Sequence, residues 1–69
     1  MRDYGKELKA HREKLNLSQC ELAKRTGIKQ QNISRWEKNQ NYPSIDLCEK
    51  LADFYGITID ELIGRDNLD

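Results

Sequence analysis

Histidine and cysteine, the usual ligands of zinc and common catalytic residues, are scarce in this 69-residue sequence. It contains one histidine, His11, and two cysteines, Cys20 and Cys48, which do not form a CxxC pair. Because a tetrahedral metal site needs more ligands than these, we expect no metal and no cofactor. A cysteine–histidine nucleophile pair would lack both a third member and a glycine-rich oxyanion loop, so we expect no enzymatic activity.

The sequence also lacks a long apolar run. No stretch approaches the roughly 18 apolar residues that a membrane-spanning helix needs, and no basic stretch followed by an apolar one indicates a signal peptide. Two cysteines in a small chain without a secretion signal are more typical of buried, reduced thiols than of a disulfide. We therefore expect a soluble, cytoplasmic protein without a membrane partner.

Proline and glycine are also few, with one Pro and four Gly, while 36% of the residues are hydrophobic and 35% are charged. That composition is too apolar for a disordered chain. We expect one domain, residues 1–69, which buries only roughly 60% of the surface of its unfolded chain. Each apolar position therefore matters for its stability.

The net charge of the chain is zero, but its charges are unevenly distributed along the sequence. Residues 1–38 contain ten Lys/Arg and five Asp/Glu, a net charge of +5, whereas residues 39–69 contain two and seven, a net charge of −5. The chain is polarised, and a polyanionic partner such as a nucleic acid suits its first half alone.

Helix start and stop signals predict five helices, and no segment alternates with the period of a strand. The clearest signals are two capping boxes, Ser18 with Glu21 and Thr58 with Glu61. The first helix carries a predicted inner face of Tyr4, Leu8, His11 and Leu15. The predicted helices span about residues 3–15, 19–26, 30–38, 45–55 and 59–63, and residues 65–69 are expected to form a frayed tail.

The second and third helices have the proportions of a helix-turn-helix, at about residues 19–38. Gly27 accepts the positive φ of the tight turn, and Ile33 and Trp36 form the inner side of the third helix. At about 100° per residue, five polar side chains of this helix fall within roughly 140° of arc on its outer side. They are Gln30, Gln31, Ser34, Arg35 and Lys38.

Three segments resemble the Cro/C1-type, XRE-like helix-turn-helix family of phage repressors: LSQCELAKRTGIKQQNISRWEKN, YPS and LADFYGITIDELIG. The resemblance extends from about Leu8 to Gly64. It implies an all-α, five-helix, lambda-repressor-like DNA-binding domain in which helices 2 and 3 form the helix-turn-helix. The implied function is sequence-specific binding of double-stranded DNA, as a homodimer, by a bacterial or phage transcriptional regulator that acts as a repressor.

The resemblance also implies roles for individual residues. The base-reading residues are Gln30, Gln31, Ser34 and Arg35. The phosphate-binding residues are Gln19, Lys29, Lys38, Asn39 and Gln40. Arg12 and Glu37 match a partly buried ion pair that joins the first and third helices. Side-chain chemistry agrees with the first set, since Gln can bond adenine and Arg can bond guanine at two atoms each.

The sequence departs from the family pattern at two positions and in its charge. Lys29 replaces the usual small capping residue, and Asn39 stands where the family often has glycine. A neutral net charge is unusual for a DNA-binding domain. Two alternatives therefore stay open: an antitoxin that represses its own operon while binding a toxin, and a protein-interaction module that has lost DNA binding. In these alternatives the protein partner would be a toxin or an effector domain.

Overall fold

The computed structural model describes residues 3–64, which form five helices and contain no strand. The helices are α1 (Tyr4–Lys14), α2 (Gln19–Thr26), α3 (Gln30–Glu37), α4 (Ile45–Tyr55) and α5 (Ile59–Ile63). The five predicted helices are confirmed, with ends that differ from the predicted ones by at most one residue. The tail predicted at 65–69 lies outside the described residues.

Both predicted capping boxes are present. The Ser18 hydroxyl accepts the Glu21 backbone N–H at 3.0 Å, and a Glu21 carboxylate oxygen accepts the Ser18 backbone N–H at 2.9 Å. Thr58 and Glu61 form the same reciprocal pair at 3.1 and 3.0 Å. These hydrogen bonds favour the ionised carboxylates and lower the pKa of Glu21 and of Glu61 below the ordinary 4.5. Two orphan amides are thereby satisfied at the start of each helix.

Residues in the left-handed conformation follow the first four helices, and Gly27 is among them as predicted. Gly27 and Gly56 follow α2 and α4 with φ of 77° and 71°, and Asn16 and Asn39 take φ of 58° and 60°. Lys29 precedes α3 and makes no side-chain capping hydrogen bond. Among the helices of residues 3–64, the third is the only one whose N-cap side chain accepts no backbone hydrogen bond, although the Asn32 amide in its first turn donates to the Lys29 carbonyl at 3.0 Å.

The core lies between the helices, and α3 contributes its centre. Ile33 and Trp36 are 2% and 3% exposed, and Leu62 of α5 is fully buried. The buried apolar cluster consists of Tyr4, Leu8, Leu17, Leu22, Ile28, Ile33, Trp36, Cys48, Leu51 and Leu62. Since α3 packs mainly on α1 and α2, its opposite side remains open to solvent.

Two predictions about side-chain burial are wrong. Leu15, assigned to the inner face of the first helix, is 51% exposed, because α1 ends at Lys14 and Leu15 is already its C-cap. Cys20 is exposed, although both cysteines were expected to be buried; Cys48 is buried. Cys20 lies two positions before the buried Leu22, and side chains two apart on a helix point in nearly opposite directions.

The described residues include no helix with the length and apolar character required to cross a bilayer. Within the same range, no three His, Cys, Asp or Glu side chains are grouped closely enough to hold a metal ion.

Candidate nucleic-acid interface

A groove follows the outer side of α3 and the start of α2. It is lined by Gln19, Gln30, Gln31, Ser34, Arg35, Lys38 and Gln40. All five members of the predicted outer arc are therefore brought together, and two of the predicted phosphate-binding residues lie beside them. Gln30, Gln31 and Arg35 are exposed, while Ser34 is half-buried. None of these lining residues is acidic and two are basic, so the groove is suited to a hydrogen-bonding anion.

Of the predicted base-reading and phosphate-binding residues, Lys29 and Asn39 do not line this groove. Lys29 is exposed at the start of α3. The Asn39 side chain is turned toward α1: its Oδ1 accepts the Gly5 backbone N–H at 2.9 Å, and its Nδ2 donates to Asp3 Oδ1 at 2.8 Å. The side-chain groups of Asn39 are thus engaged within the protein.

Arg12 and Glu37 form an ion pair between α1 and α3. Arg12 Nε donates to Glu37 Oε2 at 2.7 Å and Arg12 Nη2 donates to Oε1 at 2.9 Å, which makes the contact bidentate. The two side chains are only 10% and 6% exposed. Arg12 Nη1 also donates to the Leu17 carbonyl at 2.7 Å. The hydrogen bonds to Glu37 raise the pKa of Arg12 above its ordinary value, so Arg12 carries its positive charge under ordinary conditions.

Gln19 joins this ion pair to the groove. Its Nε2 donates to Glu37 Oε1 at 3.0 Å, and the residue is half-buried at the start of α2. The groove-lining amide is therefore anchored to the same carboxylate that Arg12 neutralises.

Gly5 is a structural determinant of the site that the sequence predictions missed. A Cβ at this position would lie 2.5 Å from the Glu37 carbonyl oxygen and 2.6 Å from the Trp36 carbonyl oxygen. The first turn of α1 therefore meets the last turn of α3 closely enough to exclude any side chain. A glycine near the start of a predicted helix, where its helix propensity is poor, was the signal available in the sequence.

The loop after α3 is held against the start of α1 by aromatic contacts. The Tyr4 hydroxyl donates to the Asn41 carbonyl at 2.5 Å. The Tyr4 ring stacks on that of Tyr42 with centroids 4.6 Å apart, although Tyr42 is 80% exposed. Together with the Asn39 hydrogen bonds, these contacts fix the segment that leaves the groove.

Comparison with known proteins identifies relatives along nearly the whole chain. A family profile described as helix-turn-helix matches residues 8–62. The chain is 34% identical over 64 residues to the HTH-type transcriptional regulator ImmR of Bacillus subtilis, an alignment that covers 93% of this chain and 50% of ImmR. It is 30% identical over 66 residues to the HTH-type transcriptional activator BcrR of Enterococcus faecalis, covering 96% of this chain and 32% of BcrR. The chain thus spans half or less of these two relatives.

The fold is similar to that of a solved repressor. The solution structure of the SOS-response transcriptional repressor LexA from Eubacterium rectale superimposes with a TM-score of 0.83 at 27% sequence identity. The superposition covers 97% of this chain and 71% of that one.

Proposed function

Because the chain belongs to the Cro/C1-type helix-turn-helix family of transcriptional regulators, which are not enzymes, we propose that it binds double-stranded DNA sequence-specifically and represses transcription from the bound operator. The observation that carries this proposal is the groove along α3, whose lining combines amides, a hydroxyl and two bases without any carboxylate. A helix that presents such a face enters the major groove in helix-turn-helix proteins.

The exposed side chains of α3 read the bases in this proposal. Gln30 and Gln31 bond adenine N6 and N7, Arg35 bonds guanine O6 and N7, and Ser34 adds a hydroxyl between them. Each two-atom contact contributes about 1–3 kcal/mol of discrimination against a wrong base.

Phosphate contacts flank the base-reading residues. Gln19, Lys29, Lys38 and Gln40 bind the backbone in this proposal. Asn39 also binds a phosphate in this proposal, through the second hydrogen of its Nδ2, while its Oδ1 and its other Nδ2 hydrogen hold the loop against Gly5 and Asp3 at the start of α1.

We propose that the basic half of the chain faces DNA and the acidic half faces away. The α4 and α5 helices carry exposed acids, Asp46, Glu49, Asp53, Asp60 and Glu61, and none of them lines the groove. The net charge of zero limits the attraction of one copy for DNA. A homodimer on two half-sites one helical turn apart compensates for this weakness. The half-buried Ile57, Ile59 and Ile63 are the proposed source of its contact surface.

Repression is the mode of regulation that requires least of this domain. The structural relative from Eubacterium rectale is named a repressor, and BcrR is named an activator. Occupying an operator needs only the DNA-binding surface, whereas activation needs a further contact with the transcription machinery. We therefore propose that the protein acts as a repressor. The cytoplasm is its proposed location.

Selection of bound sequences from random duplexes, followed by fluorescence anisotropy at several salt concentrations, tests this function. We expect the affinity to fall steeply as salt is raised, because phosphate contacts release counterions. Absence of binding at low salt and tens of micromolar protein would refute the proposal and favour a protein-interaction module.

Two substitutions separate base reading from phosphate binding. Gln31→Ala should lower the preference for one base pair by about 1–3 kcal/mol. Lys38→Ala should weaken all duplexes alike and reduce the salt slope by about one. Lys9→Ala is the charge-matched control, since Lys9 is exposed on α1 and does not line the groove. Identical effects of Gln31→Ala and Lys38→Ala on every duplex would contradict the assigned roles.

A further inference from the structure

The Glu37 carboxylate is the junction of a hydrogen-bonded chain from the protein interior to the groove. It accepts three hydrogen bonds, two from Arg12 at 2.7 and 2.9 Å and one from Gln19 Nε2 at 3.0 Å. Arg12 is itself fixed by the Leu17 carbonyl. Since Arg12 is buried and Gln19 lines the groove, Glu37 connects a group inside the protein with one at its surface.

The chemistry of this contact decides which way the Gln19 amide faces. An ionised carboxylate only accepts hydrogen bonds, so the atom of Gln19 that faces it must be the NH₂ nitrogen. That nitrogen carries two hydrogens, and Glu37 uses one of them. The second hydrogen has no acceptor among the described residues, and Gln19 lines the groove, where an anion would need a donor.

We propose that Glu37 is a positioning residue for DNA binding, which holds the Gln19 amide so that its second N–H donates to a DNA phosphate. Arg12 makes this arrangement compatible with a polyanion, because it neutralises a carboxylate that would otherwise repel the phosphate. This inference rests on the proposed function and adds to it the group that orients the phosphate contact.

The charge of Glu37 allows a test in which simple electrostatics and the proposal predict opposite changes in DNA affinity. Glu37→Gln removes one negative charge beside the interface, and by charge alone it should strengthen binding to DNA. In this variant, the carbonyl oxygen of the introduced amide stays with the buried Arg12, and its NH₂ group turns toward Gln19. The Gln19 amide must then flip to accept, which brings its carbonyl oxygen to the phosphate. We therefore expect Glu37→Gln to weaken binding about tenfold, the size of one hydrogen bond to a charged group.

A double-mutant cycle on DNA affinity isolates this effect from the general role of the ion pair in the fold. Gln19→Ala should also weaken binding about tenfold. In the Gln19→Ala background, Glu37→Gln should then change the affinity less than about twofold, because the group that it orients is gone. A stoichiometric titration gives the fraction of each protein that is active. Affinities are calculated from that fraction, so that unfolded protein does not affect the comparison. Glu49→Gln, the same change on the exposed side of α4, corrects for the loss of one negative charge.

Equal weakening by Glu37→Gln in both backgrounds, or tighter binding, overturns the inference while leaving the proposed function intact. Absence of DNA binding by the unmodified protein refutes the proposed function, and the inference with it.

A second measurement needs no substitution at Glu37. In the free protein, the Nε2 hydrogen of Gln19 that faces Glu37 should be shifted downfield and should exchange with water more slowly than either amide hydrogen of the exposed Gln31. On addition of the selected duplex, the second hydrogen should shift downfield. Nε2 hydrogens of Gln19 that resonate and exchange with water like those of Gln31 overturn the inference even if the Glu37 variant does not fold.

Discussion

Replacing Asn39 by glycine tests whether this residue serves only as a left-handed turn. Its φ of 60° is a conformation that glycine adopts freely. If the turn were its whole role, Asn39→Gly would leave the protein equally stable or stabilise it. The structure gives the side chain a second role, since its Oδ1 accepts the partly buried Gly5 N–H at 2.9 Å.

The expected magnitude follows from that contact. Leaving a buried donor without its partner costs about 1–3 kcal/mol. Glycine relieves the left-handed strain, but its greater freedom in the unfolded chain returns roughly 0.5–1 kcal/mol of that gain. We therefore expect Asn39→Gly to lower the free energy of unfolding by about 1–2 kcal/mol. Asn39→Ala should cost about 1 kcal/mol more, because alanine combines the lost hydrogen bond with full left-handed strain.

Urea unfolding followed by tryptophan fluorescence measures both variants, because Trp36 is the single tryptophan and is 3% exposed. Each 1 kcal/mol should also lower the melting temperature by roughly 4–8 °C in a domain of this size. A glycine variant as stable as the unmodified protein would refute the argument, and the close contact between α1 and the loop after α3 would then carry no energy at this position.

Three further predictions concern stability. Helix propensity alone would make Gly5→Ala favourable by about 1 kcal/mol. We expect it instead to lower the free energy of unfolding, measured in urea, by about 1–3 kcal/mol, because the added Cβ meets the Glu37 carbonyl. A stabilised variant would contradict the close approach. Tyr55→Phe should be neutral or stabilising by about 1 kcal/mol, since the buried Tyr55 hydroxyl has no hydrogen-bond partner among the described residues; a loss of stability would reveal a partner. The free energy of unfolding should fall as the pH drops below about 4.5 and passes through the lowered pKa values of Glu21 and Glu61. The reason is that these carboxylates bind protons at a higher pH in the unfolded state than in the folded one. Carboxylate pKa values of 4.5 or above, measured by NMR, would exclude this cause.

The helix ends could be predicted from the sequence because their signals are local. The Ser18–Glu21 pair and Gly27 act on amides within four residues of themselves, so they work before any tertiary structure forms. The outer arc of α3 was predictable for the same reason, since the helix geometry alone places Gln30 and Arg35 on one side.

The contacts that hold α3 in place could not be predicted in this way. Asn39 stands where the family often has glycine and takes a left-handed φ of 60°, but its bond to Gly5 joins positions 34 residues apart. Such a contact depends on how α1 crosses α3, and no local pattern records that crossing. Leu15 failed for a related reason: periodicity placed it on the inner face, but a helix that ends one residue earlier no longer imposes that direction.

Lys29→Ser tests whether the weak start of α3 is linked to DNA binding. An eight-residue helix has little stability of its own, so a capping hydrogen bond matters. Serine at the N-cap should raise the free energy of unfolding by about 0.5–2 kcal/mol. If Lys29 binds a phosphate, the same variant should weaken binding to all duplexes alike and reduce the salt slope by about one. Urea unfolding and salt-dependent anisotropy on the same preparation give both values.

A variant that is more stable and binds DNA with an unchanged salt slope would show that Lys29 is a poor cap with no compensating contact. Opposite changes in stability and affinity would show that the family's usual capping residue has been replaced by a cation at a cost to the fold.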